Sequence, residues 1–106
     1  MSLFEDFSEF SLLTDDIEFS RYYELHTDED GTETIWEISE RTFEKKCVNV
    51  FEVVLWAEDQ GKSYVFTKDQ NGTLYLNRYQ LFEKNRIELF PAEADTSERL
   101  CLLYFG

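Results

Sequence analysis

The sequence predicts an α+β, mainly β protein: a short N-terminal helix packed on an antiparallel meander of about six to seven strands, forming a curved sheet or small barrel. Three observations lead there. Residues 47–57, CVNVFEVVLWA, are the longest dense apolar run and are rich in Val, Phe and Trp, the residue types that fit a buried pleated surface. Shorter apolar segments flank this run and are separated by turn signals, the usual spacing of a meander. Ten Phe, six Tyr and two Trp in 106 residues supply enough large rings to fill one core without staples. The length fits a single domain spanning residues 1–106, with helix over 1–13 and sheet over 17–106.

Residues 2–13 begin with Ser2 as a candidate N-cap and Glu5 three residues on. Leu3, Phe4, Phe7 and Phe10 recur at helical spacing, so this segment is expected to be an amphipathic helix lying on the sheet. Residues 17–26 alternate, with Ile17, Phe19, Tyr23 and Leu25 on one face and Glu18, Tyr22, Glu24 and His26 on the other. The TDEDG stretch 27–31 is a hairpin loop. Residues 32–39 return with Thr34, Trp36 and Ile38 expected inward.

After the charged connection 40–46 and the central run, residues 62–67 pair back with Tyr64 and Phe66. Asp69-Gln70-Asn71-Gly72 is the clearest turn, because Asn-Gly tolerates the positive φ angles that tight hairpins need. Residues 73–82, with an expected bulge near Arg78-Tyr79, and residues 85–90 make two more strands. Residues 91–98 read as a polar loop and 99–105 as a closing apolar strand.

Charge is the most informative signal. The net charge is −13, and residues 1–40 hold 13 Asp/Glu against Arg21 alone, a net of −12. Residues 41–106 are nearly balanced at −1. Such a one-sign block opposes direct binding to nucleic acid or to an anionic membrane and draws a cationic partner. With no basic n-region and no long apolar run, neither a secretion signal nor a membrane span is read, and a cytoplasmic location is expected. Cys47 and Cys101 then read as buried free thiols.

The chemistry-bearing patterns are weak. His26 is the only histidine and has no nucleophile motif beside it. An EF-hand frame on Gly31 would put His26 at the first ligand position, a poor choice for calcium. No cysteine–histidine set has zinc spacing and no glycine-rich phosphate loop occurs, so no cofactor, metal or enzymatic activity is expected.

The expected function is that of a small acidic, non-enzymatic binding protein engaging a basic protein surface, as inhibitors, immunity proteins and nucleic-acid mimics do. The carboxylates of Asp15, Asp16, Glu18, Glu24, Asp28, Glu29, Asp30 and Glu33 would steer the encounter, with Tyr22 as an aromatic anchor. Alternatives are a barrel holding a small apolar ligand, or a subunit of an assembly. A homodimer paired through an exposed C-terminal strand is a further expectation.

Overall fold

In a computed structural model, the structure describes residues 10–11, 22–40 and 43–106, the first two by their backbone pairing only. The central run does form the longest strand, but the chain closes on itself and its helix lies at the other end. The elements are β1 (Phe10–Ser11), β2 (Tyr22–Thr27), β3 (Glu33–Ser39), β4 (Lys46–Asp59), β5 (Lys62–Lys68), β6 (Leu74–Glu83), β7 (Arg86–Pro91) and α1 (Ala94–Phe105). Strands β2 to β7 pair antiparallel in chain order, and β7 returns onto β2 through Tyr23↔Ile87 and Glu24↔Arg86. Six antiparallel strands thus close into an up-and-down barrel, which leaves no free edge between β2 and β7.

Closure requires curvature, and register shifts provide it. One lies between Glu37 and Ile38 on the β3–β4 ladder and another between Val53 and Leu55 on β4–β5. The shift on β6 falls between Leu81 and Glu83, not near Arg78-Tyr79 as the sequence suggested. Each shift bends its strand and increases the local twist.

Because side chains alternate across every strand, the barrel has two buried faces. Inside lie Tyr23, Ile35, Phe51, Val65, Ile87 and Leu89, joined by the partly buried Leu25, Val53, Trp56, Tyr75 and Tyr79. The rings interlock edge to face, Phe51 on Tyr75 at 5.5 Å and Trp56 on Tyr79 at 4.8 Å. Burial pushes the Tyr75 phenol above its ordinary pKa, and donation to Asp69 at 3.1 Å adds to the effect. Barrels of about eight strands already have interiors just wide enough for side chains or one small ligand, and six strands enclose less.

Outside, Ala57, Tyr64, Phe66 and Leu76 make a second apolar surface, which Leu100, Cys101 and Phe105 of α1 cover. Phe105 meets Phe66 edge to face at 4.9 Å. Ionic contacts pin both parts of the helix: Arg99 donates to Asp59 at the end of β4 (2.6 Å), and Lys62 pairs with Glu93 just before the first turn (3.2 Å).

Several expectations are therefore corrected. Residues 99–105 are not a strand; they are the second half of α1, and 94–98 are its first half rather than a loop. Without a strand there, dimerisation by pairing of a C-terminal strand edge is lost. The described helix stands at the C-terminus, and the described part of 1–13 is strand. Phe10 and Ser11, expected inside a helix, run parallel to β6 at Leu74 and Tyr75, where the β7 ladder, which begins at Asn77, leaves β6 backbone groups open to pairing. The rest of 1–13 lies outside the described residues.

The register of β3 is the reverse of that expected as far as Glu37: Ile35 and Glu37 face inward while Thr34 and Trp36 face out, and Ile38, also expected inward, is buried beyond the bulge. Trp36 finds cover outside by stacking on His26 at 4.2 Å and donating to the Thr34 hydroxyl. The inward Glu37 carboxylate accepts from Asn49 Nδ2 at 3.1 Å, which offsets part of its desolvation.

The cysteines divide. Cys101 is buried on the inner face of α1 and its thiol is pushed up to about 11 by burial, whereas Cys47 is exposed rather than buried. A thiolate-directed reagent at neutral pH is expected to label the native chain once, at Cys47, and twice after denaturation. Peptide mapping of the labelled chain checks this; early modification of Cys101 would contradict the packing of α1.

Candidate functional site

The acidic segment singled out from the sequence is distributed over three different settings. Asp15, Asp16 and Glu18 lie outside the described residues. Asp28, Glu29 and Asp30 form the exposed tip of the β2–β3 hairpin. The turn is built to be rigid: Asp28 N–H donates to Thr32 O (2.8 Å), Gly31 N–H donates to Asp28 O (3.0 Å), and Gly31 takes φ +90°, open to glycine without strain. Asp30 Oδ1 accepts from Thr32 N–H at 3.0 Å, and this bond holds its carboxyl below the usual carboxylate range. Asp28 and Glu29 have no ion-pair partner among the described residues.

Glu33 does something else. Its Oε1 accepts the indole N–H of Trp56 at 2.7 Å, so it satisfies a polar group of an interior ring at the barrel mouth. Glu24 is likewise engaged within the chain. Its carboxylate accepts from Lys45 Nζ at 2.6 Å and lies 3.3 Å from His26 Nε2.

Tyr22 and Glu24 belong to a cleft whose walls come from distant stretches of the chain, so the sequence reading did not assemble it. Outward-facing side chains of β2 meet the β6–β7 turn and the β3–β4 connection along the seam where the barrel closes. The cleft measures about 600 Å³. Glu24, Glu40 and Glu83 bring negative charge to it, and Lys45, Lys84 and Arg86 bring positive charge. Tyr22 lies between two cations, Lys45 Nζ at 4.9 Å and the Arg86 guanidinium at 5.6 Å from its ring centre. Pairs of this kind contribute about 0.5–1 kcal/mol each where exposed. A signal did exist in the run Glu83-Lys84-Asn85-Arg86, whose mixed charges sit at a turn, but only the β2–β7 pairing shows what it faces.

Two large rings are exposed on the segments that supply these charges. Phe43, on the β3–β4 connection between Glu40 and Lys45, is fully exposed, with φ +65°. Phe82 is 54% exposed and lies 5.2 Å from the Arg86 guanidinium. Among the described residues no group of three or more His, Cys, Asp or Glu side chains is arranged to hold a metal ion, and no helix is long and apolar enough to cross a membrane.

Among the described residues, fold and surface together define a small closed β-barrel with a C-terminal helix laid along its outside and charged features at a hairpin tip and at the closing seam. Comparison with protein-family models, curated proteins and solved structures gives no match.

Proposed function

We propose that this barrel is an acidic, non-enzymatic binding protein that docks on a basic surface of another protein, with the β2–β3 hairpin tip as the described part of its contact face. The observation that carries this reading is the charge segregation, a net of −12 over residues 1–40 against −1 over the remainder. Charge spread for solubility alone needs no such segregation. The hairpin adds a physical means of using it. Asp28 and Glu29 are held by a hydrogen-bonded turn on a closed barrel, so their position is set before binding and little ordering entropy is lost on contact. Glu24 and Glu33, engaged inside the chain, are assigned to structure. The ligand-in-barrel alternative draws less support, because large side chains occupy the narrow interior.

The test compares immobilised wild type with the triple variant Asp28→Asn/Glu29→Gln/Asp30→Asn in extract of its own cells at low salt, followed by a salt gradient. The wild type is expected to retain a basic protein that elutes steeply with salt. The variant is expected to bind that protein with an on-rate lower by about tenfold, the scale of lost electrostatic steering. Equal retention and equal salt dependence of the two would overturn the reading.

A further inference from the structure

We infer that the seam cleft is a self-association surface, across which two copies of this chain meet about a two-fold axis. Glu40, Glu83, Lys84 and Arg86 all face the same cleft, yet none of the four has an ion-pair partner among the described residues. Within the cleft Lys45 already pairs with Glu24, which leaves two carboxylates and two cations of the same surface without such a partner. A patch that holds both signs unpaired is self-complementary. In a two-fold contact the same patch faces itself, so the carboxylates of one copy can meet the cations of the other, each contact occurring twice.

The long-range field points to the same surface. Each copy carries −13, so two copies repel over most of their surfaces. The three carboxylates of the cleft are matched by three cations, which makes it a place where approach costs little. The hairpin tip, by contrast, is acidic only. Desolvation can come from Phe82, an exposed ring 5.2 Å from the Arg86 guanidinium, since aromatic residues beside polar groups are a common make-up of interfaces. The inference does not depend on the acidic hairpin binding anything.

Sedimentation velocity of the full chain tests it, using two variants of exposed residues. Lys84→Glu/Arg86→Glu leaves the cleft strongly acidic, with Lys45 its one remaining cation, and Glu40→Lys/Glu83→Lys leaves it strongly basic, with Glu24 its one remaining carboxylate. Wild type is expected to be mainly dimeric at about 100 µM, a concentration at which a Kd of about 10 µM suffices. Each variant alone is expected to sediment as a monomer. An equimolar mixture is expected to restore a one-to-one dimer, since opposite clefts then face each other. Wild type that stays monomeric, variants that remain dimeric (as they would if the outer side of α1 made the contact), or a mixture that stays monomeric would each overturn the inference.

Discussion

Leu100→Pro is expected to unfold the protein in buffer at room temperature. Proline inside α1 removes a backbone hydrogen bond and drives its ring against the carbonyl one turn back, costing about 3 kcal/mol or more. The leucine it replaces is 1% exposed and packs in the cluster that joins α1 to Tyr64, Phe66 and Leu76. Losing that side chain adds at least about 2 kcal/mol. The total reaches the lower part of the ~5–15 kcal/mol by which a small domain is stable. Loss of cooperative urea unfolding, with an altered far-ultraviolet circular dichroism spectrum, is the readout. Two alanine variants separate helix from strand without relying on complete unfolding. In a strand, Leu100 and Leu102 would share a face, and truncating either would cost about the same. In α1 they do not, so Leu100→Ala is expected to cost about 2–5 kcal/mol and the exposed Leu102→Ala under about 1.

The second large effect is expected inside the barrel. Ile35 is 0% exposed and belongs to a cluster with Tyr23, Phe51, Val65, Ile87 and Leu89. Ile35→Asn gives up apolar burial of about 1.5–3 kcal/mol and leaves an amide short of partners, at about 1–3 kcal/mol more. The outward Thr34→Asn, one position earlier, is expected to cost about 1 kcal/mol or less. Urea midpoints compare the two. The reverse order would mean that β3 presents its other face to the interior, as its sequence alone suggests.

That register shows where reading a sequence fails. In residues 32–39 the larger apolar surface belongs to Trp36, and alternation counted from it puts Thr34, Trp36 and Ile38 inside. The structure instead stacks Trp36 on His26 from the neighbouring strand and turns Glu37 inward to Asn49. Neither partner is visible without the β2–β3 and β3–β4 pairings. The bulge after Glu37 buries Ile38 as well, so the segment carries apolar residues of both parities and its alternation is ambiguous.

The missed helix has a related cause. Thr96, Leu100, Cys101 and Phe105 recur at helical spacing and all are buried, but Leu102, Leu103 and Tyr104 are apolar too and face solvent. Exposed apolar residues hid the period. Glu93 at the N-cap makes no side-chain cap, so the helix start carried no marker either. What was legible had strong local causes: β4 from its dense apolar run, and the turn at Asn71-Gly72, where Gly72 has φ +83° and Asp69 Oδ1 accepts from both Asn71 and Thr73 N–H. The hairpin carboxylates were legible as charge. The seam cleft was not, because it exists only once the first and last barrel strands meet.

That meeting also sets an order of events in time. Five of the six barrel ladders join strands adjacent in the chain, so each can form once a single hairpin or short connection has closed. The sixth joins β2 to β7, and the entropy of bringing those segments together falls only after the intervening meander has curled. The described seam contains two residue pairs and the bond from Leu25 N–H to Asn85 O at 2.6 Å, all on the late side of that sequence. The barrel is thus a ribbon whose ends are fastened last. Its least persistent backbone protection belongs at that joint, and the hairpins survive each brief opening of the ring.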